Sequence, residues 1–140
     1  MKINTLTFEI PGVIQPQERP RLSRQGKGMR THDAPKSKDF KDFVMLVAYQ
    51  YKPSELITEP IKLKADIYLM PPQNLRTGPK RKLIASGELR PTKKPDLDNL
   101  IKGIKDGCNK IIWHDDSQIV DMTVRKFYSE QPRAEVMIEW

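Results

Sequence analysis

With 140 residues and a formal net charge of +7, the chain suits one domain, large enough for a single core without covalent or metal staples. Its one cysteine, Cys108, excludes a disulfide framework within the chain, and no cysteine–histidine cluster suggests zinc. The N-terminus alternates instead of running apolar and no stretch could span a bilayer as a helix, so the expectation is a cytoplasmic protein without a leader or membrane anchor.

Residues 3–10 place Leu6, Phe8 and Ile10 on one side and Thr5, Thr7 and Glu9 on the other, the pattern of a half-buried strand that Pro11-Gly12 ends. Residues 13–36 are polar, basic and rich in proline and glycine, and read as a loop. Ser37 is positioned to cap a following helix. Phe40, Phe43, Val44, Val47, Ala48 and Tyr51 then share one helical face up to the stop at Pro53, and core packing is their simplest role. A second strand begins at Ile61, with Ile61, Leu63, Ala65, Ile67 and Leu69 alternating against polar neighbours until Pro71-Pro72. From there to Lys94 no period is convincing, and a connection of this length inside a small domain is functional or disordered.

After Asp98 the helical period returns: Leu100, Ile101, Ile104, Cys108, Ile111 and Ile112 share a face, on which Cys108 is a small apolar residue. Val120, Met122 and Val124, then Ala134, Val136, Ile138 and Trp140, mark two closing strands. The short Ser129–Pro132 link predicts that they form an antiparallel hairpin. The expected fold is a single α+β domain over 1–140 in the order β-α-β-α-β-β, a four-stranded mixed sheet with two helices on one face.

The charge is not spread evenly. Residues 17–37 hold six lysines and arginines against two acids, residues 71–94 hold seven against one, and the remainder of the chain is net acidic. Basicity confined to two connections describes a polyanion-binding surface. Its candidate phosphate contacts are Arg19, Arg21, Arg24, Lys27 and Arg30 in the first stretch and Lys80, Arg81, Lys82, Lys93 and Lys94 in the second.

Against this background stand Asp96 and Asp98 in Lys93-Lys94-Pro95-Asp96-Leu97-Asp98-Asn99-Leu100, and Asp115 and Asp116 in Trp113-His114-Asp115-Asp116-Ser117-Gln118. Carboxylates in a cationic setting repel DNA unless a divalent cation neutralises them, and that combination describes a metal-dependent nuclease. On an extended path Asp96 and Asp98 point to one side. Asp98 also occupies the expected N-cap, a role it could fill without any chemistry. Lys102, four residues on, shares the face of Asp98, either as an ion-pair partner or as a cation aimed at the scissile phosphate. Asp115-Asp116 follows a helix whose far end lies about 20 Å from Asp98, so it joins the pair only if the chain doubles back. Alone it reads as a turn. His114 could serve as a ligand or a base, though a single histidine beside a turn is more often neither, and His32, in the basic loop, is assigned no chemistry.

The segments Lys94–Lys102 and Trp113–Val120 resemble the RusA family of Holliday junction resolvases, whose pattern is D-L-D-N-L-x-K, a helix, then W-x-D-D-x-Q-V. The resemblance is dense over residues 93–126. It implies a homodimer that binds four-way DNA junctions and nicks two strands symmetrically with Mg²⁺, Mn²⁺ being a possible substitute. Carried over by position, it implies that Asp96, Asp98 and Asp116 are the catalytic, metal-binding carboxylates, Lys102 a catalytic lysine and Asp115 an auxiliary residue. The helix-to-Asp-Asp spacing is one residue shorter than in the family member compared, which leaves the choice between Asp115 and Asp116 open, and the 71–94 stretch is longer. The alternative is a DNA-binding protein on the same fold, with the carboxylates serving as caps and turns.

Overall fold

A computed structural model describes residues 2–18, 21–25, 28–32 and 34–140, with the backbone alone for 21–25 and 29–32. In chain order the elements are β1 (Thr5–Pro11), β2 (Arg21–Gln25), β3 (Gly28–His32), α1 (Pro35–Tyr51), β4 (Ile61–Leu69), α2 (Lys80–Ser86), α3 (Leu97–Cys108), β5 (Ile119–Tyr128) and β6 (Arg133–Glu139). Short 3-10 turns occupy Gln73–Leu75 and Asp116–Gln118. The class is α+β, and the mixed four-stranded sheet has the order β1-β6-β4-β5.

Alternation along the strands builds the core. Ile61, Leu63, Ala65 and Ile67 of β4 are buried, and so are Phe8 and Ile10 of β1 and Ala134, Val136 and Ile138 of β6. α1 and α3 close over that face with Phe40, Val44, Val47 and Ala48 from one helix and Leu100, Ile101, Ile104 and Cys108 from the other. The α1 stripe is narrower than expected: Phe43 is exposed, and Tyr51, also exposed, stacks on Phe8 with ring centroids 5.6 Å apart. α3 ends at Cys108, and Ile111 and Ile112 enter the core from the turn beyond it.

Five local expectations are corrected. First, the loop expected over 13–36 contains the antiparallel pair β2–β3, in which Arg21 faces His32 and Gln25 faces Gly28. Second, α1 starts at Pro35, whose fixed φ suits the first helical position. Ser37 is therefore not the N-cap; it is buried, and its hydroxyl accepts from the Glu18 N–H at 3.0 Å, tying the preceding segment to the helix. Third, the aperiodic basic stretch holds a third helix, α2, which ends in a left-handed Gly87 that abuts the Phe127 ring. Fourth, α3 has Asp96 as its N-cap, so Asp98 lies inside the first turn.

Fifth, β5 and β6 do not pair. β5 runs parallel to β4 and β6 antiparallel to it on the other side, so β4 separates them. α3 is the crossover of a β4–α3–β5 unit, the kind of connection that parallel neighbours require. The link from Tyr128 to Arg133 then only has to step over one strand, a gap of about 10 Å that a few residues span. The Ser129 N–H anchors that step on the Leu69 carbonyl at 2.8 Å.

Helices α1 and α3 approach closely at two glycines. A Cβ on Gly107 would stand 2.5 Å from Val44 Cγ1 and 3.1 Å from the Lys41 carbonyl, while one on Gly103 would meet the Phe40 ring at 3.0 Å. Gly107→Ala should therefore destabilise the protein by about 1–3 kcal/mol, as overpacked cores do. Thermal melting checks this; a melting temperature equal to wild type would show that the two helices separate at little cost.

Candidate functional site

The chain enters α3 through the exposed cationic residues Lys93 and Lys94, then Pro95. Asp96 takes the N-cap conformation (φ −74°, ψ 154°), yet its carboxylate accepts no capping hydrogen bond. Its backbone carbonyl accepts the first helical bond, from Leu100 N at 3.1 Å. Asp98 follows in the first turn. Both side chains are exposed, and among the described residues neither has a hydrogen-bond or ion-pair partner. The helix dipole favours negative charge at this end. The result is two uncommitted carboxylates, set at a helix start and flanked by two lysines.

That arrangement suits a hard divalent cation. Mg²⁺ keeps most of its waters and is held by one or two carboxylates together with substrate phosphate oxygens. Asp96 and Asp98 offer such donors. Among the described residues no group of three or more acidic, histidine or cysteine side chains is gathered as a metal cage.

Asp116 stands apart from the pair within one chain. It begins the 3-10 turn after α3, and its Oδ1 accepts from the buried Trp113 indole N–H at 2.7 Å. It lies close enough to Cys108, the last residue of α3, to act on it electrostatically: burial first, and the Asp116 charge second, push the Cys108 thiol up to about 12. Asp96 is at the other end of that helix, which spans about 18 Å at 1.5 Å per residue. The chain does double back, since β5 returns alongside α3, but what reaches Asp96 is the distal part of β5: Lys126 Nζ donates to the Pro95 carbonyl at 3.0 Å.

Asp115 and Asp116 are distinguished by their partners. Asp115 is the N-cap of the 3-10 turn, where its carboxylate accepts from Ser117 N at 3.0 Å and its own N–H donates to Gln118 Oε1 at 2.7 Å. The hydrogen bonding from Ser117 holds its carboxyl below the usual aspartate range, and Lys110, 3.7 Å away, adds to this. Gln118 Nε2 donates to the carbonyls of Ile57 (2.8 Å) and Glu59 (3.0 Å), pinning the turn to the connection before β4. The tryptophan and glutamine of the W-x-D-D-x-Q segment thus orient the acidic turn, a role that was not assigned from the sequence. The exposed His114 side chain acts on the neighbouring Asp115 carboxylate by charge alone, the smallest of the influences on that group.

Lys102 reaches forward, not back. Its Nζ donates to both Asp106 oxygens, at 3.1 and 3.3 Å, and Lys41 Nζ lies 3.1 Å from the same carboxylate. Lys102 is the more exposed of the pair and, with Asp98, lines a shallow groove between α3 and Met122 and Val124 of β5.

Of the candidate phosphate contacts, Lys80, Arg81 and Lys82 form the exposed first turn of α2. Three cations at a helix start oppose the helix dipole, so this placement does not serve the helix's own stability. Arg21, Arg24 and Arg30 fall on β2 and β3, while Arg19 and Lys27 lie outside the described residues.

Comparison with known proteins adds three findings. The sequence model of a family described as "Endodeoxyribonuclease RusA" matches residues 11–139. A Bacillus subtilis (strain 168) protein described as "Uncharacterized protein YqaN" is 44% identical over 137 residues, covering 97% of this chain and 96% of that protein. "Crossover junction endodeoxyribonuclease rusA" of Lactococcus phage r1t is 44% identical over 48 residues, 34% of this chain and 37% of the phage protein.

Proposed function

This chain belongs to the RusA family of endodeoxyribonucleases, and from that premise we propose that it resolves four-way DNA junctions by paired nicks, acting as a homodimer in the cytoplasm. The observation that carries the reading is the uncommitted Asp96–Asp98 pair at the start of α3, framed by Lys93 and Lys94. Asp96 and Asp98 hold Mg²⁺, for which Mn²⁺ substitutes. That cation supplies activation of water and neutralises charge gathering on the phosphate during in-line hydrolysis. Lys93 and Lys94 draw the DNA backbone to the carboxylates, and the basic hairpin and α2 grip the arms. Selectivity then comes from junction shape and dimer geometry, because phosphate contacts carry no base information.

Asp116 enters this reading through the second copy. A two-fold axis running across α3 sets its two copies antiparallel, and the dimer that fits this reading is the one in which the Asp116 end of one protomer faces the Asp96–Asp98 end of the other. Asp115 orients the turn that carries Asp116.

The direct test is incubation of a labelled synthetic four-way junction with and without Mg²⁺, with matched duplex as control. Paired, Mg²⁺-dependent nicks in the junction alone are expected. Binding without cleavage would assign the chain to DNA recognition without chemistry.

Lys102 is read as the cation that offsets charge on the leaving oxygen once DNA competes it away from Asp106, which Lys41 continues to hold. Lys102→Ala should then slow single-turnover cleavage about a hundredfold, or about 3 kcal/mol. Its exposed ion pair should contribute under about 1 kcal/mol to stability, so melting changes little. A rate near wild type with normal melting would return Lys102 to a surface role. Replacing Lys80, Arg81 and Lys82 together by alanine should flatten the salt dependence of junction binding, by about 0.9 in log–log slope for each lost phosphate contact. An unchanged slope would separate α2 from the DNA.

A further inference from the structure

β5 is an edge strand, and residues 88–95, the segment that leads into Asp96, fold against its distal end. Three hydrogen bonds and one cation–ring contact make the join. Lys126 Nζ donates to the carbonyl of Lys93 at 2.9 Å and to that of Pro95 at 3.0 Å. Arg90 Nε donates to the Lys126 carbonyl at 3.1 Å. The Arg90 guanidinium also lies over the Phe127 ring, 4.4 Å from its centroid. Lys126 therefore receives the segment on its backbone side through Arg90 and holds it on its side-chain side through the ammonium.

The position of this clasp matters more than its number of bonds. Pro95 is the residue before Asp96, and Asp96 has no side-chain bond of its own to fix the start of α3. On the other flank the helix start is held by Gln17 N, which donates to the Asn99 carbonyl at 2.9 Å. Proline cannot donate a backbone hydrogen bond, so the Pro95 carbonyl is the one main-chain polar group through which that residue can be held. An ammonium has three donors and a charge, and bonds from a charged donor to neutral carbonyls are stronger than amide–carbonyl ones. Two of those donors are committed to carbonyls within three residues of Asp96.

We propose that Lys126, with Arg90 as its backbone partner, is a positioning residue for the carboxylate pair: the clasp sets the approach of Lys93–Pro95 to α3 and so fixes where Asp96 and Asp98 stand. The inference rests on the reading of Asp96 and Asp98 as the functional carboxylates. Groups that orient ligands in this way change metal affinity or activity by about 10–100-fold when removed. Lys126 does not touch the scissile phosphate in this account, which sets it apart from Lys93, Lys94 and Lys102.

The test compares Lys126→Met, which keeps the stem and removes the donors, with Lys126→Arg, whose guanidinium can again donate to two carbonyls. Three measurements are made on the full chain: junction affinity without divalent cation, single-turnover cleavage across a Mg²⁺ titration, and amide hydrogen exchange. For Lys126→Met the expected result is a Mg²⁺ requirement or a maximal rate worse by about tenfold or more. Junction affinity should be unchanged, and exchange should quicken at residues 100–103, the first amides bonded within α3, while β4 and α1 stay protected. Lys126→Arg should recover most of each effect. Wild-type cleavage at every Mg²⁺ concentration would overturn the proposal. So would a loss of affinity in step with the rate, which would make Lys126 a phosphate contact, and so would faster exchange throughout the sheet. Asp96→Asn run in parallel separates the two layers: if it cleaves normally, the functional reading of the pair falls, while the exchange data still judge whether Lys126 holds the helix start.

Discussion

Asp96→Asn is expected to abolish junction cleavage while leaving junction binding and melting intact. Asparagine caps a helix about as well as aspartate, and the Asp96 carboxylate accepts no capping bond that could be lost, so the start of α3 should survive the change. Removing a negative charge beside Lys93 and Lys94 should strengthen attraction to phosphate, not weaken it. What disappears is a charged oxygen donor, and a neutral amide is a poor replacement toward a hard divalent cation. Cleavage and binding should therefore separate completely. The measurement is single-turnover cleavage at saturating protein, alongside a binding titration without divalent cation. A folded variant that cuts within about threefold of wild type would remove Asp96 from the chemistry, because that factor is well under 1 kcal/mol.

Co-expression of Asp96→Asn with Asp116→Asn should restore nicking that neither variant shows alone. Trp113 holds Asp116 beyond the C-terminal end of α3 through a 2.7 Å bond, the Asp96–Asp98 pair stands at the N-terminal end of this helix about 18 Å long, and the three carboxylates are not gathered within one chain. No rotamer of an aspartate spans that length. If the carboxylates meet across a two-fold dimer, the mixed dimer has one centre carrying both substitutions and one carrying neither. One intact centre should place a single nick in the junction without the paired second cut. If all three carboxylates act from the same chain, every centre in the mixed dimer carries a substitution, and the mixture should be as inactive as its parents. Gel analysis of nicked against resolved junction reads the difference directly.

Much of the fold was legible because a buried surface repeats with the period of its element. Ile61, Leu63, Ala65 and Ile67 face the core as their alternation requires, and Leu100, Ile101, Ile104 and Cys108 do so at the helical period. The β2–β3 hairpin and α2 were not legible. Their segments are short and basic, with no apolar stripe of a recognisable period, so neither pattern could emerge.

The sequence by itself determined which carboxylates are out of place. Asp96 and Asp98 lie beside Lys93 and Lys94, and their charge and spacing are local facts that need no tertiary contact. It also determined the α+β class, because periodicity is local too. Only the tertiary structure decided how the strands are ordered. A four-residue link reads as a hairpin until β4 is seen to pair with both flanking strands, parallel to β5 and antiparallel to β6. Only the tertiary structure, likewise, separated Asp115, committed to Ser117 and Gln118, from Asp116, held by Trp113, and both of these from the free pair at the other end of α3. It also brought Lys126 to Pro95, a pairing 31 residues apart. The physical reason is common to the strand order and to Lys126: a partner distant in sequence leaves no periodic trace, because it depends on where two backbones meet and not on what either segment would do alone. The bonds of Asp115 and Asp116 are local, within three residues, and there the geometry of one tight turn decides which carboxylate is held by which donor.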